Sequence, residues 1–149
     1  MRPQGPVDAT QADVIEPAAA GTDAVICTIG TSFTRKPVDV YSASSRLVVA
    51  AMRRHGRQRL LVVASSGVNP AHGRAGSRRY FGRTVYDDME QMEPVVSASG
   101  LDWTVVRPPG LTDEPGTGYA VAENDIDGGL CTREDLAAML PAGRRRTTG

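Results

Sequence analysis

One stretch of the sequence joins residues that could hold a ligand to the element that would position them. It runs from Ser99 to Gly110 and ends in Arg107-Pro108-Pro109-Gly110. The aromatic and β-branched residues from Trp103 to Val106 predict a strand, and the two prolines cannot extend its hydrogen-bonded ladder. Since α/β folds bind ligands in the loops that follow the carboxyl ends of their strands, this loop is the first candidate site. The alternative is a purely structural turn.

Two hydroxyl groups form a second candidate. Ser65 and Ser66 directly follow Leu60 to Ala64, an apolar run that predicts a buried strand. A serine hydroxyl in this position can orient a ligand by hydrogen bonding, whereas the alternative is a serine that bonds its own backbone at the start of a loop. Nucleophilic catalysis is not indicated, because the two histidines suggest no Ser-His-Asp set and the Gly-x-Ser-x-Gly pattern is absent.

The elements that must position these loops alternate along the chain, which indicates an α/β fold with parallel strands and right-handed crossovers. Ser42 is a candidate N-cap, Thr84 and Asp87 resemble a capping box, and Pro94 predicts a kink or a fresh helical segment. Thr132 should begin the last helix and Pro141 should stop it. The predicted strands are 23–29, 60–64 and 102–107, with 119–122 as a further candidate, and the predicted helices are 42–55, 84–98 and 132–140.

Composition narrows the function classes. The chain has 149 residues and equal numbers of basic and acidic side chains, 17 of each, which argues against a general role on nucleic acids or membrane surfaces. No segment approaches the ~20 apolar residues of a membrane span, and the first residues do not resemble a signal peptide. Cys27 and Cys131 are predicted to be buried thiols and not metal ligands, so we expect a cytoplasmic protein. Its domain should span 1–141, followed by a disordered basic tail over 142–149.

Five stretches have the order and spacing of a known family over nearly the whole chain, from about Asp8 to Leu140. They are Gly21–Ile26 with Gly30-Thr31, Ser45–Met52 with Gly56, Leu61–Ser66, Ser99–Asp113 with Gly116–Gly118, and Thr132–Ala137. Together they resemble the atypical short-chain dehydrogenase/reductase group of NmrA-like NAD(P)H-binding proteins, and within it the biliverdin-IXβ reductase and flavin reductase branch. The resemblance implies a Rossmann-like fold and hydride transfer from NADP(H), or NAD(H), to a flavin, tetrapyrrole or quinone type of acceptor. The alternative is a non-catalytic regulatory or dinucleotide-sensing protein, or a pseudoenzyme that acts by association.

The resemblance also implies roles for individual residues. Ser66 would lie near the nicotinamide and orient a carbonyl group, as the catalytic residue. Residues of the surrounding loops would contact the cofactor: Asp8 and Ala9 at the adenine, Thr28, Ile29 and Gly30 over the ribose, and Ser65, Pro108, Pro109 and Gly110 at the nicotinamide. The alternatives are a solvated N-terminal segment for the first pair and plain turns for the others.

Two further features have a structural alternative as well. Typical short-chain dehydrogenases use a Tyr-x-x-x-Lys pair, but the residue four positions after Tyr86 is Glu90. A nearby carboxylate raises a tyrosine pKa, whereas a lysine lowers it, so we expect Tyr86 to be a helix-face residue. His72 and the arginines from Arg74 to Arg83 could attract an anionic substrate, or they could form a solvated loop.

The departures from the family concern the cofactor. Its proteins open with a Gly-rich turn that cradles the diphosphate at a helix start, and this sequence has none. About 60 residues, two βα units of ~30 each, are missing from the pattern. We therefore expect a partial Rossmann-like, doubly wound parallel sheet without the N-terminal βαβ units, and weak dinucleotide binding. The strand Asp23 to Ile29 should be an open edge, which invites self-association.

Overall fold

The computed structural model describes residues 8–68, 82–123 and 129–143. The helices are α1 (Ala12–Ala20), α2 (Val40–Arg54), α3 (Arg83–Ser97) and α4 (Arg133–Ala142). The strands are β1 (Ala24–Cys27), β2 (Arg59–Val63), β3 (Asp102–Val106), β4 (Gly110–Thr112) and β5 (Leu130–Thr132), and a 3₁₀ turn (Ser66–Val68) follows β2.

The first three strands form one parallel sheet in the order β1-β2-β3. Val25 lies opposite Leu60, and Leu60 lies opposite Trp103. Strands β4 and β5 form a separate parallel pair, with Leu111 opposite Cys131. The predicted α/β class and the partial Rossmann-like parallel sheet are confirmed, and the three long apolar runs are the strands that the sequence indicated.

The core lies between the sheet and a layer of three helices. Helix α1 packs against α2, and α2 packs against α3. Side chains of a strand alternate between its two faces, and Leu60 and Val62 accordingly join Met52, Met92 and other helix residues in one buried cluster. Leu61 points to the opposite face, where it lies beside Gly143 at the end of α4. The buried Arg59 also donates a hydrogen bond to the Gly143 carbonyl, so the end of α4 is attached to this second face.

The helix starts differ from the sequence prediction. Helix α2 begins at Val40, and Ser42 does not cap it, because its hydroxyl donates to the Asp39 carbonyl instead. Helix α3 begins at Arg83, and the Thr84 hydroxyl donates to the Thr34 carbonyl at 2.8 Å, so the predicted capping box is wrong. Helix α3 also continues through Pro94 to Ser97 as one element, without a fresh segment.

The C-terminal elements combine confirmed and wrong predictions. Thr132 caps α4 as predicted, since its hydroxyl oxygen accepts from the Asp135 amide at 2.9 Å. Pro141 lies inside α4, which ends one residue later, and 119–122 is not a strand. Helix α1 and the short strands β4 and β5 were not predicted. Two predicted features lie outside the described residues. They are residues 144–149 of the basic tail, and the group formed by His72, Arg74, Arg78 and Arg79.

Candidate functional site

Three loops meet at the carboxyl edge of the sheet because β1, β2 and β3 are parallel. The Ala64 amide donates to the Val106 carbonyl at 2.8 Å, which extends the β2–β3 ladder by one bond. The Ser66 amide then donates to the Pro108 carbonyl at 3.0 Å. The two candidate loops of the sequence, at Ser65–Ser66 and Pro108–Gly110, are thus joined into a single wall.

The two serines have different roles in this wall. The Ser65 hydroxyl accepts from the Gly67 amide at 3.2 Å, and the Ser65 carbonyl accepts from the Val68 amide at 3.1 Å. Ser65 therefore stabilises its own 3₁₀ turn, which is the structural alternative for a serine at a loop start. Ser66 is half-buried, and its backbone is fixed by Pro108.

An ion pair between Arg107 and Glu93 fixes the start of the Pro108 loop. Arg107 donates from Nε and Nη2 to the two carboxylate oxygens of Glu93, at 2.8 and 2.7 Å. Such two-pronged pairs fix geometry as well as charge, and Glu93 raises the pKa of Arg107 further. Pro108 itself is buried. Arg107 is therefore committed to positioning the loop rather than to binding an anion.

The loop after β1 is attached to α2. The Thr31 amide donates to the Tyr41 hydroxyl oxygen at 3.2 Å, and a Cβ on Gly30 would lie 3.4 Å from that same oxygen. Burial raises the pKa of Tyr41, which keeps the phenol neutral. Thr28 and Gly30 are exposed, while Ile29 packs against the core. This turn therefore offers open backbone next to the wall made by Ser66 and Pro108.

An aromatic pair with one buried ring, that of Tyr86, supports these loops, and little in the sequence indicated it. Tyr86 is 5% exposed, and its ring lies 5.8 Å from that of Phe33, which is 65% exposed. A Cβ on Gly67 would lie 2.9 Å from Tyr86 Cε1, and a Cβ on Gly82 would lie 2.7 Å from Phe33 Cδ1. Tyr86 is thus on a buried helix face, directly beneath the turn that contains Ser66, and two glycines allow this packing. In the sequence, Tyr86 stood out only because its spacing to Glu90 was compared with the Tyr-x-x-x-Lys pair of typical short-chain dehydrogenases.

The predicted adenine contacts, Asp8 and Ala9, lie just before α1 in the chain. Asp8 Oδ1 accepts from the amide and the hydroxyl of Thr10, at 2.9 and 2.6 Å, and the Thr10 hydroxyl lowers the pKa of Asp8. Arg57 donates to the Ala20 carbonyl at 2.8 Å, which places the end of α1 beside the end of α2. Asp8 and Ala9, at the other end of α1, therefore lie toward the carboxyl edge of the sheet.

A helix start can hold a phosphate group only through unpaired amide groups, and α2 is the helix that follows the Thr28–Gly30 turn. Two amides of its first turn are already bonded within the chain: Asp88 Oδ2 accepts from Tyr41 at 2.8 Å and from Ser42 at 3.3 Å. Asp88 reaches this position from α3 and is 1% exposed. Among the described residues, the wall at Ser66 and Pro108 could therefore hold the nicotinamide end of a dinucleotide, while the Tyr41 and Ser42 amides are not free for a phosphate group.

Two other kinds of feature are absent from the part of the chain that the structure describes. No group of three or more His, Cys, Asp or Glu side chains is placed to hold a metal ion. No helix there combines the length and apolar character needed to cross a membrane.

Parallel strands joined by helical crossovers, with loops gathered at one edge, define the class of Rossmann-fold nucleotide-binding proteins. A structure described as ChuY, an anaerobillin reductase from Escherichia coli O157:H7, has a TM-score of 0.71 at 23% identity, covering 91% of this chain and 65% of ChuY. A short-chain dehydrogenase/reductase from Veillonella parvula in complex with NADP has a TM-score of 0.66 at 15% identity, covering 88% and 59%. At these identities the similarity concerns the fold alone.

Sequence comparison gives the family. The model of the NAD(P)H-binding family matches residues 6–142, and the chain belongs to this family, which confirms the resemblance seen in the sequence. The uncharacterized sugar epimerase YhfK of Bacillus subtilis strain 168 is 32% identical over 133 residues, which cover 86% of this chain and 59% of YhfK. The chain thus spans less than two thirds of the length of each of these relatives.

Proposed function

We propose that this chain binds the nicotinamide end of NAD(P)H at the carboxyl edge of its sheet and orients a small planar acceptor for hydride transfer. The observation that carries the proposal is the 3.0 Å hydrogen bond between the Ser66 amide and the Pro108 carbonyl. It joins two loops into one rigid wall where Rossmann folds bind their ligands. Membership of the NAD(P)H-binding family supports the cofactor, and the fold shared with ChuY, described as an anaerobillin reductase, supports a reductase.

When bound, the dinucleotide supplies the hydride, and the protein supplies binding, orientation and a dry surface. The exposed Thr28–Gly30 turn offers backbone groups to the ribose, and the Ser66 hydroxyl orients a carbonyl group. The buried Pro108 and its fixed loop exclude water from one side. Burial keeps Tyr41 protonated, and Arg107 is paired with Glu93. An acceptor that takes its proton from water, such as a flavin, a tetrapyrrole or a quinone, suits a wall of this kind.

We also propose that dinucleotide binding is weak, because the Tyr41 and Ser42 amides, which could otherwise hold a phosphate group at the start of α2, are already bonded to Asp88. Fluorescence titration with NADPH and with reduced nicotinamide mononucleotide tests this directly. If the diphosphate and adenosine add little, the two dissociation constants should agree within about threefold, which is under ~1 kcal/mol. An NADPH affinity more than about a hundredfold tighter would contradict the proposal.

Turnover is tested by following NADPH oxidation with flavin mononucleotide, biliverdin or a quinone as the acceptor. Replacing Ser66 by Ala should lower kcat/KM about 3- to 10-fold, as expected for the loss of one orienting hydrogen bond. Ser97→Ala is the matched control, because Ser97 is exposed at the C-terminal end of α3 and its hydroxyl donates a long 3.4 Å bond to the Pro94 carbonyl. Equal activities of the two variants would exclude Ser66 as the orienting group.

A second candidate function is association, and it would explain a chain that oxidises NADPH with none of these acceptors. In the described part of the chain β1 is an edge strand of its sheet, and uncharged edges without proline invite pairing. An open groove of about 260 Å³ runs along this edge, and its lining has no charged group: Ile15, Ala18, Ala19, Thr22, Ala24, Val25, Ile26 and Val48. These features support pairing of β1 with a second copy of the chain.

Sedimentation equilibrium tests the association. Ala18 lines the groove and is exposed, so Ala18→Glu should weaken the dimer by about tenfold or more without disturbing the core. Ala12→Glu serves as the control, since Ala12 is exposed on the same helix but does not line the groove. A wild-type chain that stays monomeric at about 100 µM, a weak affinity on the usual scale, would exclude this candidate.

A further inference from the structure

The loop that follows β4 is attached to the start of α4 by three consecutive backbone amides. The Gly116 amide donates to Glu134 Oε2 at 2.7 Å. The Thr117 amide donates to Asp135 Oδ2 at 3.1 Å, and the Gly118 amide donates to Asp135 Oδ1 at 3.0 Å. Successive amides that converge in this way form a concave site for negative charge, and here two neighbouring carboxylates of the same chain fill it. We call this arrangement, formed by Gly116–Gly118, Glu134 and Asp135, the carboxylate clamp.

Two glycines make the carboxylate clamp sterically feasible. A Cβ on Gly116 would lie 2.8 Å from Asp135 Oδ1, so a side chain there would displace the carboxylate or the loop, and Gly118 has a φ of +100°, which other residues rarely adopt. Asp135 is 8% exposed, and its own amide donates to the Thr132 hydroxyl at 2.9 Å. The Thr117 amide is the main cause that lowers the pKa of Asp135, which keeps it an ionised acceptor. Asp135 is therefore fixed on both its backbone and its side chain.

The carboxylate clamp is part of the same chain segment as the Pro108 wall. Pro108 is held by Ser66 at the beginning of that segment. Strand β4 continues from Gly110 to Thr112 and pairs with β5, in a register that places Thr112 opposite Thr132. The Asp135 carboxylate then holds the other end of this segment, at the amides of Thr117 and Gly118. Tyr119, the residue after Gly118, is 47% exposed, so the carboxylate clamp fixes the backbone next to a residue that carries an exposed aromatic ring.

We propose that Asp135 is a positioning residue for the acceptor side of the site, because it fixes the far end of the segment that begins at Pro108. This inference rests on the proposed function. It assigns Asp135 no contact with the reacting atoms: its carboxylate acts through the Thr117 and Gly118 amides. Loss of the clamp should therefore weaken acceptor binding and leave the affinity for the dinucleotide unchanged, since the Thr28–Gly30 turn and Ser66 are held by other contacts.

The test compares Asp135→Asn with Asp113→Asn. Asparagine keeps the shape of Asp135 but replaces one accepting oxygen by an NH₂ group, so it can satisfy only one of the two amides. Asp113 is the matched control, because it accepts from Arg133 between the same two elements but is 88% exposed. Hydrogen exchange of the Thr117 and Gly118 amides should accelerate about tenfold in Asp135→Asn, the effect of about one lost hydrogen bond. The acceptor KM should rise about fivefold or more, with kcat and the NADPH dissociation constant within about twofold of wild type.

Each outcome of this comparison either supports or overturns the positioning role of Asp135. Faster exchange with an unchanged acceptor KM would show that Asp135 only stabilises the loop, and unchanged exchange would show that it does not hold these amides; either result overturns the inference. If Asp135→Asn does not fold, Gly116→Ala displaces the loop and keeps the carboxylate, and the same rise in KM is expected. Failure of the proposed function would appear separately, as a wild-type chain that oxidises no NADPH with any acceptor. The positioning role would then fall with it.

Discussion

Asp88 offers a sharp test of how the site edge is held together. It lies on α3, is 1% exposed, and accepts from two amides at the start of α2, at 2.8 and 3.3 Å. Asp88→Ala leaves both amides buried without this partner. An unsatisfied buried amide costs about 1–3 kcal/mol, and loss of a helix cap alone costs about 0.5–2 kcal/mol. Because the 3.3 Å bond is long, we expect the free energy of unfolding to fall by about 2–4 kcal/mol rather than by the full sum.

Urea denaturation measures this loss. With a denaturant slope of about 2 kcal/mol per molar, the midpoint should fall by about 1–2 M. Asp113→Ala is the control: it also removes an acidic side chain, and the pair it makes with Arg133 at 2.7 Å is exposed, so its loss should cost less than about 1 kcal/mol. Equal midpoints for the two variants would refute the assignment of Asp88 as the cap of α2.

Two further predictions concern Gly67, in the turn that contains Ser66, and the packing of α1 on α2. In Gly67→Ala the new Cβ would lie 2.9 Å from the ring beneath it, so stability should fall by about 1–3 kcal/mol, whereas Gly21→Ala, with nothing within 4 Å, should cost little in the same denaturation assay. Arg54, at the end of α2, is the main cause that lowers the pKa of Glu16 below its usual 4.5, so this pair stabilises the fold above that pH and its contribution is lost as pH falls through the lowered value. Stability curves of wild type and Glu16→Gln should therefore converge on acidification; if the gap persists at low pH, or if Asp13→Asn behaves in the same way, the ion pair is not its source.

The sequence predicted the sheet well because buried parallel strands are continuous apolar runs. The prediction of 60–64 differs from the observed Arg59–Val63 by one residue at each end. Helix α1 was missed for a physical reason: it contains Pro17 and has only nine residues, so its local propensity is poor. Its stability comes from packing on α2 and from Glu16, whose partners Arg54 and His55 lie 38 and 39 positions away.

The site was predictable only to the level of its loops. Strand ends marked Ser65–Ser66 and Pro108–Gly110, and the parallel sheet then brought them together. The contacts that fix these loops join distant parts of the chain and leave no local pattern. Asp88 reaches Tyr41 across 47 positions. Residue types alone therefore suggested which groups could do chemistry, but not which of them the fold had already engaged.

The bonds that the carboxylates around the site already make limit the reactions that these groups can catalyse. In the described residues, Asp88 bonds the start of α2, Glu93 holds Arg107, and Asp135 holds Thr117 and Gly118. For Asp88 or Asp135 to act as a general acid or base, protonation would have to weaken its bonds to amides, at a cost of about 1–3 kcal/mol for each amide left unsatisfied. Hydride transfer to an acceptor that takes its proton from water avoids this cost, because the reacting electrons come from the cofactor. The reductase hypothesis therefore fits these carboxylates better than any reaction that needs one of them as its proton donor.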